Sequence, residues 1–466
     1  MSLDVYMIAI GGTGMAPLAC LLQELGHRVR GSDAPLYPPM STLLAEAGIT
    51  PHRGYDPAHL EPAPDLVIVG NAVPRSNPEV ERAEELGLER ASMPQALSRF
   101  LLEGRRPLVV AGTHGKTTTT ALASWVYANC GEDPGYLIGG VPQGLERSFA
   151  VGSGPRFVVE GDEYNAAYFD RGPKFLHYRP QALILTSVEY DHADLYPSPE
   201  ALDEAYRRLI ALVPEDGVVV ACGDHPAVRA MAAGARSKVI FYGLEEGNDV
   251  RPASLEHGPR GSRFVLPDGA GGSVAVELQL AGDHNVQNAL AAWAAARHDG
   301  LAPAAVAAAL AGFAGVKRRL EVLGTAAGVT VVDDFAHHPT AVGASLRALA
   351  ARYPGRRLLA LFEPRSLTAG RAFLQPAYRR AFAAATAVRL APIFHRRRLA
   401  DDERLDLEAL VEELGRDGVD AACCPSTGAV LDAALAWLRP GDVAVTMSSG
   451  SFDDLPRRLL AALRRR

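Results

Sequence analysis

The sequence predicts an α/β protein of three domains, in which helices cover parallel sheets. The chain has 466 residues, and one domain per about 150 residues gives about three domains. Short apolar runs alternate with helical patterns along the chain, which is the rhythm of parallel strands joined by crossover helices. Two glycine-rich turns each follow an apolar run and precede a helical pattern. We place the domains at residues 1–104, 105–317 and 318–466.

The composition limits the classes of partner. The chain has 47 Lys and Arg against 54 Asp and Glu, for a formal net charge of −7. No long basic tract occurs, which argues against nucleic acid or an anionic membrane as the main partner. No apolar run approaches the ~20 residues of a membrane span. We expect a cytoplasmic protein without membrane insertion, either a monomer or a weak homo-oligomer, that acts on small-molecule substrates.

The first domain begins with a β–α–β pattern. Residues 5–10, 28–32 and 65–69 are apolar runs that predict strands, and residues 15–25 predict the helix between the first two. This order is typical of a doubly wound sheet, so we expect the N-terminal domain to be Rossmann-like.

The turn after the first predicted strand contains Gly11, Gly12 and Gly14. Asp33 follows about 20 residues later, where an acidic residue can bind a ribose hydroxyl. This combination makes a nicotinamide-dependent oxidoreductase one alternative. Two observations count against that class: the strict Gly-x-Gly-x-x-Gly spacing of dinucleotide-binding turns is not met, and the second glycine-rich turn is left without a role.

The second turn, at residues 112–119, follows the apolar run 107–111 and has the composition of a phosphate-binding loop. Backbone N–H groups of such a turn and the N-terminus of the next helix attract an anion. Lys116, one of four lysines in the chain, would neutralise phosphate oxygens, and the Thr117 hydroxyl would bind Mg²⁺. The loop glycines enclose two residues instead of the generic four. ATP here, with a nucleotide-bearing substrate in the first domain, explains both turns and predicts a central parallel sheet of the P-loop ATPase type.

Acidic residues follow the next two predicted strands of the central domain. Glu160 ends the run 157–160, and a carboxylate at this position can complete a Mg²⁺ site with Thr117. Asp191 and His192 come after the run 182–187, where His192 is a candidate ligand for a second metal ion. The alternative is a helix-capping Asp beside a surface His.

Two later motifs carry polar side chains suited to a nucleotide. Asn285 and Asn288 open an apolar helix, and an amide can bind an adenine edge, although Asn285 could instead cap the helix. Arg319 can stabilise charge on a γ-phosphate. The adjacent aspartates Asp333 and Asp334 can position an arginine or a ribose, and His337 can contact phosphate.

The third domain repeats the alternation of strands and helices, so we expect it to be Rossmann-like as well. Its predicted strands cover residues 329–333, 357–362, 387–392 and 443–447, and two of its predicted helices cover residues 340–352 and 455–463.

These motifs, in this order, resemble those of the Mur ligases, the three-domain cytoplasmic enzymes that build the peptide stem of peptidoglycan. The segments are GTHGKTT, the strand ends at Glu160 and His192, GDHNVQNA, KRRLE and DDFAHHPT. The resemblance implies Mg²⁺-dependent use of ATP to form an acyl phosphate on a substrate carboxylate, which an amine then attacks. Within the family, DDFAHHPT resembles the corresponding motif of the branch that acts on UDP-N-acetylmuramate. Ala9 departs from that branch, which usually has a glycine at this position.

The resemblance also assigns roles to single residues. The catalytic residues are expected to be Lys116, Glu160, His192, Arg319 and Asp334, and the metal ligands Thr117, Glu160 and His192. The expected ATP contacts are Gly112, Thr113, His114, Gly115, Lys116, Thr117, Thr118, Asn285, Asn288, Arg319, Asp334 and His337. The expected contacts of the UDP-sugar are Gly12, Thr13, Gly14, Met15, Ser32, Asp33 and Asn71. The expected peptide contacts are Arg365 and Ser366.

Two amine substrates fit this branch. One is the tripeptide L-alanyl-γ-D-glutamyl-meso-diaminopimelate, which is used in peptidoglycan recycling, and the other is L-alanine, which is used in de novo synthesis. Several segments, including 37–44, 163–164, 167–170, 174–175, 177–180, 363–366 and 447–452, resemble the tripeptide-specific members. We therefore expect the tripeptide, with L-alanine as the alternative.

Overall fold

The computed structural model describes residues 2–191 and 195–466, which form two compact units. The first unit comprises Met1–Val188, Glu200–Asp249 and Ala291–Val306. The second comprises Glu189–Pro199, Val250–Leu290 and Ala307–Arg466. Among the described residues, no helix combines the length and apolar character that a membrane crossing needs.

The first unit opens with a five-stranded parallel sheet in the order β3-β2-β1-β4-β5. Its strands are β1 (Asp4–Ile8), β2 (Arg28–Asp33), β3 (His52–Arg53), β4 (Leu66–Val69) and β5 (Arg90–Ser92). Its helices are α1 (Met15–Glu24), α2 (Met40–Glu46), α3 (Pro78–Glu85) and α4 (Met93–Leu97). The predicted strands and helix of this region are confirmed, with ends that differ by one or two residues.

Alternating side chains of the central strands build one core of this sheet. Tyr6 and Ile8 of β1 and Val67 and Val69 of β4 are fully buried and pack together with Val80 of α3. Because successive side chains of a strand point to opposite faces, this set defines the face of the sheet that α3 covers.

A seven-stranded sheet follows in the same unit, in the order β14-β13-β12-β6-β9-β7-β8. All its neighbours are parallel except β7 and β8, and β10 and β11 form a separate antiparallel pair. The strands are β6 (Arg106–Ala111), β7 (Gly135–Leu137), β8 (Phe149–Ala150), β9 (Arg156–Gly161), β10 (Asn165–Ala167), β11 (Asp170–Pro173), β12 (Ala182–Leu185), β13 (Val218–Cys222) and β14 (Lys238–Tyr242). The helices are α5 (Lys116–Asn129), α6 (Pro199–Ala211) and α7 (Pro226–Ala232).

The order of this sheet brings three functional segments together. Strand β6 lies between β9 and β12 and is parallel to both, so the segments after these three strands leave the same edge. They are the glycine-rich turn, the acidic segment that begins at Glu160, and the segment that begins at Thr186.

Two helices, α8 (Asp283–His298) and α9 (Pro303–Gly312), precede the last sheet in the chain. The second unit also contains a three-stranded antiparallel sheet that the sequence analysis did not predict, formed by β15 (Ser254–Gly258), β16 (Gly261–Pro267) and β17 (Ser273–Leu278).

The second unit ends in a six-stranded sheet in the order β18-β19-β23-β20-β21-β22, in which β18 alone is antiparallel. Its strands are β18 (Glu321–Ala326), β19 (Val329–Asp334), β20 (Leu358–Phe362), β21 (Ala387–Leu390), β22 (Asp420–Cys423) and β23 (Val443–Met447). Its helices are α10 (Pro339–Arg352), α11 (Gln375–Phe382), α12 (Leu407–Arg416), α13 (Thr427–Trp437) and α14 (Leu455–Leu463).

Helices cover both faces of the six-stranded sheet, as the prediction of a Rossmann-like domain requires. Val332 of β19 belongs to a core shared with Leu346 of α10 and Leu410 of α12. Its neighbour Val331 belongs to a second core shared with Leu459 of α14. Adjacent residues of one strand therefore serve opposite faces.

A buried ion pair ties β9 to the end of α8 within the first unit. The Arg156 Nε donates to the Asp299 Oδ2 at 2.6 Å, and the Tyr127 hydroxyl donates to the same oxygen at 2.5 Å. Arg156 is only 3% exposed. Asp299 therefore neutralises a guanidinium that has little access to water.

We predict that Asp299→Ala lowers the free energy of unfolding by about 3–5 kcal/mol, because it leaves a buried charge without its partner. Urea unfolding measures the effect. Asp417→Ala is the control, since Asp417 makes a two-point ion pair with Arg379 on the surface, and such pairs contribute little. Equal stability losses in the two variants would contradict the assignment.

Candidate active site

The glycine-rich turn between β6 and α5 has a backbone that only glycine accommodates easily. Gly112 has a φ of +132°, and a Cβ there would lie 2.2 Å from the Thr186 Oγ1. Gly115 has a φ of +81° and directly precedes α5. These two positions explain the unusual spacing of the loop, since one allows close approach to the end of β12 and the other starts the helix.

The end of β12 fixes the backbone of the turn. The Thr186 hydroxyl donates to the His114 carbonyl at 2.6 Å. The Ser187 carbonyl accepts from the Thr113 N–H at 2.8 Å, and the Ser187 hydroxyl accepts from the His114 N–H at 3.0 Å. Sequence reasoning missed Thr186 and Ser187, although their position after an apolar strand of the same sheet was a usable signal.

Lys116 lies among carboxylates. Its Nζ donates to the Gly112 carbonyl at 2.7 Å and to both Glu163 oxygens at 2.9 and 3.1 Å. Burial lowers the pKa of Lys116, but the charges of Glu163, Asp162 and Glu160 together outweigh burial, so its pKa lies above the ordinary value. Lys116 is therefore a fixed positive charge, and Glu163, which is 3% exposed, is its counter-ion.

Thr117 and Glu160 meet at the start of α5. The Thr117 hydroxyl donates to the Glu160 Oε1 at 2.8 Å, and the Glu160 Oε2 accepts from the Gly139 N–H at 2.9 Å. A hydroxyl and a carboxylate in contact are hard oxygen donors of the kind that Mg²⁺ binds. The two side chains therefore fit the predicted cation. Thr118, in the first turn of α5, is 6% exposed.

The predicted second metal ligand, His192, lies outside the described residues. Asp191, directly before it, is 5% exposed. In the second unit, the Thr340 hydroxyl donates to the Glu189 Oε2 at 2.6 Å, and the His338 Nδ1 lies 3.5 Å from the same oxygen.

The two predicted adenine contacts lie in the first turns of α8, and each is 6% exposed. The Asn285 Nδ2 donates to the Ala281 carbonyl at 2.9 Å, and the Asn288 Nδ2 donates to the Asn285 Oδ1 at 3.5 Å. A capping side chain would accept from a backbone N–H. The alternative that Asn285 caps the helix is therefore wrong, because its amide donates to a carbonyl from inside α8.

Asp334 ends β19 and is held by three donors. Its carboxylate accepts from the Ala336 N–H at 2.6 Å, the Leu320 N–H at 3.0 Å and the Ser345 hydroxyl at 3.1 Å. Burial raises the pKa of Asp334 above its ordinary value, although these hydrogen bonds favour the charged form. Asp334 thus joins the segment before β18 to the segment that follows β19.

Asp333, the other member of the aspartate pair, contacts Arg318, whose Nε lies 3.4 Å from the Asp333 Oδ2. The Arg319 guanidinium lies over the Phe335 ring, 4.7 Å from its centroid. The His337 Nδ1 lies 3.1 Å from the Phe335 carbonyl oxygen. The two arginines directly precede β18, which is antiparallel to β19, so they lie beside the end of β19 and the segment that follows it.

The predicted peptide contacts follow β20 at the same edge. The Arg365 Nη1 donates to the Glu363 Oε2 at 3.4 Å. The Ser366 hydroxyl accepts from the Ala369 N–H at 3.0 Å. The Arg365 side chain is 26% exposed, so its guanidinium is partly open to a ligand.

The glycine turn after β1 is ordered by Asp33, whose Oδ2 accepts from the Gly11 N–H at 2.7 Å. Ala9 has a φ of +62°, a left-handed conformation that costs an L-residue roughly 1–2 kcal/mol. A glycine, which the sequence comparison above expects at this position, would adopt this conformation without that cost. Gly12 and Gly14 are half-buried, Thr13 and Asn71 are exposed, and Met15 is buried.

Ser32 is fully buried instead of lining an open surface. Its hydroxyl donates to Glu79, which also accepts from the Tyr6 hydroxyl at 2.9 Å. The Ser32 side chain is therefore committed to the interior below the turn. The predicted ligand contact of Ser32 is therefore left to its backbone, because its hydroxyl is bonded to Glu79.

Family profiles cover most of the chain. The Mur ligase catalytic domain matches residues 4–105, the Mur ligase middle domain matches residues 110–296, and the Mur ligase glutamate ligase domain matches residues 318–450. The chain belongs to the Mur ligase family, whose members are ATP-dependent amide ligases that form ADP. This membership rules against the nicotinamide-dependent oxidoreductase alternative.

Two sequence relatives and one solved structure show which members of the family the chain is similar to. The chain is 40% identical over 466 residues, 98% of each chain, to the UDP-N-acetylmuramate–L-alanyl-γ-D-glutamyl-meso-2,6-diaminoheptandioate ligase of Escherichia coli. It is 38% identical to the UDP-N-acetylmuramate–L-alanine ligase of Kineococcus radiotolerans over 99% of this chain and 96% of the relative. The crystal structure of a murein peptide ligase from Psychrobacter arcticus is similar with a TM-score of 0.73 and 34% identity, covering 100% of this chain and 99% of that one.

Proposed function

We propose that the protein joins the lactyl carboxylate of UDP-N-acetylmuramate to the free amine of the tripeptide L-alanyl-γ-D-glutamyl-meso-diaminopimelate, with cleavage of ATP to ADP and phosphate. The observation that carries the choice of amine is the 40% identity, over 98% of each chain, to a relative named for this reaction. Arg365, a partly exposed guanidinium at the strand edge of the second unit, supplies a group for the peptide end, since a guanidinium fork fits a carboxylate.

The phosphate loop supplies the nucleotide end of the proposed reaction. Lys116 remains protonated among its carboxylates, so it can neutralise the terminal phosphates of ATP. Thr117 and Glu160 would hold Mg²⁺, and His192 is proposed as a further ligand. When bound, the cation offsets the negative charge of the phosphates.

The chemistry proceeds in two displacements. A carboxylate oxygen of the sugar attacks the γ-phosphorus, the bond to the leaving ADP oxygen breaks, and an acyl phosphate forms. The tripeptide amine then attacks the acyl carbon, phosphate leaves, and the nitrogen loses a proton to give the amide. The backbone N–H groups of the turn and Lys116 offset the charge that builds on the transferred phosphoryl group.

The remaining predicted contacts keep the roles that the family implies. Asn285, Asn288, Arg319 and His337 are proposed to bind ATP. Asp334 is proposed as a positioning residue, because its carboxylate already accepts three hydrogen bonds. The glycine turn after β1 is proposed to bind the UDP-sugar through Gly12, Thr13, Gly14, Met15, Asp33, Asn71 and the backbone of Ser32. We propose a cytoplasmic protein that is a monomer or a weak homo-oligomer.

The decisive experiment compares phosphate release with two amines. The purified protein is given ATP, Mg²⁺ and UDP-N-acetylmuramate with either the tripeptide or L-alanine, and the amide product is identified by mass. We expect turnover with the tripeptide and little with L-alanine. Preferential turnover of L-alanine would instead establish the de novo ligase activity, which is the alternative that the 38% identical relative represents.

We predict that Lys116→Ala reduces the rate of ligation at least about a thousandfold, because the variant loses the preorganised positive charge that faces the transferred phosphoryl group. Circular dichroism should show an unchanged fold. Lys238→Ala is the matched control, since Lys238 is an exposed residue of β14, and it should keep full activity. A Lys116→Ala variant that ligates at the normal rate would exclude this phosphate site.

A further inference from the structure

Three loops converge on Arg365. Glu363 lies on the same loop, and its Oε2 accepts both from the Arg365 Nη1 at 3.4 Å and from the Ser448 hydroxyl at 2.5 Å. Gly450, in the loop after β23, packs so closely that a Cβ there would lie 1.9 Å from the Arg365 Nε. Phe394, in the loop after β21, places its ring centroid 3.9 Å from the Arg365 Cζ.

The Arg365 guanidinium is held in one orientation but keeps hydrogen-bond donors for a ligand. Arginine has five N–H donors, and within the described part of the chain Glu363 accepts its one hydrogen bond. The Glu363 side chain is only 8% exposed, so it anchors one end of the guanidinium from the interior. Donors therefore remain for a ligand, and a planar guanidinium fixed in this way suits two-point binding of a carboxylate.

Phe394 adds an apolar surface to the same place. The residue is 52% exposed, while its backbone N–H donates to the Pro364 carbonyl at 3.1 Å. The aromatic side chain is therefore docked on the Arg365 loop by its backbone and still presents half of its surface to solvent. An exposed ring held in contact with a guanidinium offers apolar and ionic recognition side by side.

We propose that Arg365 and Phe394 form a specificity corner that binds the last residue of the peptide acceptor. The guanidinium pairs with a carboxylate of that residue, and the Phe394 ring covers its aliphatic chain. A ligand with several methylene groups and a carboxylate uses both surfaces, whereas a single L-alanine has no chain to reach the ring. The inference rests on the proposed function, and it assigns to Phe394 a role in selecting a long acceptor.

The test measures kcat and KM for each substrate in Phe394→Ala. We expect the KM for the tripeptide to rise about tenfold, from loss of the apolar contact and of the cation–π orientation of Arg365. The kcat should change little, because the reacting amine is on the first residue of the peptide. The KM values for ATP and UDP-N-acetylmuramate should stay unchanged, and Phe394→Tyr, which keeps the aromatic face, should behave as the unmodified protein.

Two further variants separate this role from general effects. Phe373→Ala is the matched control, because Phe373 is 53% exposed but lies beside Tyr190, with ring centroids 6.4 Å apart. It should leave the KM for the tripeptide unchanged. Gly450→Ala should displace Arg365 and, like Phe394→Ala, raise the KM for the tripeptide. The KM values for ATP and UDP-N-acetylmuramate should not change.

A substrate analogue tests the ionic half of the corner. Converting the carboxyl groups of the third residue to amides should raise the KM of the unmodified protein about tenfold or more, and should raise it less in Phe394→Ala, where Arg365 is less well oriented.

An unchanged tripeptide KM in Phe394→Ala, or an equal rise in Phe373→Ala, would overturn the inference while leaving the proposed function intact. Absence of tripeptide turnover by the unmodified protein would contradict the proposed function itself.

Discussion

The nucleotide end of the site depends on the charge balance around Lys116. One ammonium group lies among the carboxylates of Glu160, Asp162 and Glu163, whose charges raise the pKa of Lys116 although burial acts to lower it. This balance keeps the lysine charged and held against the Gly112 carbonyl. In the proposed reaction a polyphosphate takes the place of Glu163 as the partner of Lys116, so the counter-ion preserves the loop until the substrate is bound.

In the second unit, the sheet topology decides which side chains lie together. Parallel strands end at one edge, so the loops after β19, β20, β21 and β23 meet there, and each contributes a side chain or a close backbone approach. Asp334 and Glu363 are buried carboxylates that orient these loops instead of facing solvent. Glu363 holds the Arg365 guanidinium, against which the Phe394 ring lies, and these two side chains are the ones that we propose to contact the peptide.

The sequence predicted much of this arrangement, for reasons that are local. The phosphate turn, Thr117 and Glu160 were found because glycine, lysine and carboxylate types at strand ends have direct chemical meaning. Glu163 could not be chosen over Asp162 as the partner of Lys116, since the backbone path after β9 decides which side chain turns inward. The Arg156–Asp299 and Arg365–Phe394 contacts join segments far apart in the chain. The antiparallel sheet β15–β17 was missed because its alternating pattern is short and interrupted by glycines.

In the proposed reaction, the loop at Lys116 directs phosphoryl transfer to the carboxylate of the sugar substrate. The most direct measurement uses UDP-N-acetylmuramate labelled with ¹⁸O in its lactyl carboxylate and follows the label during ligation to the tripeptide. If an acyl phosphate forms, one ¹⁸O atom will appear in the released inorganic phosphate for each amide formed. Release of unlabelled phosphate during amide formation would contradict an acyl phosphate intermediate.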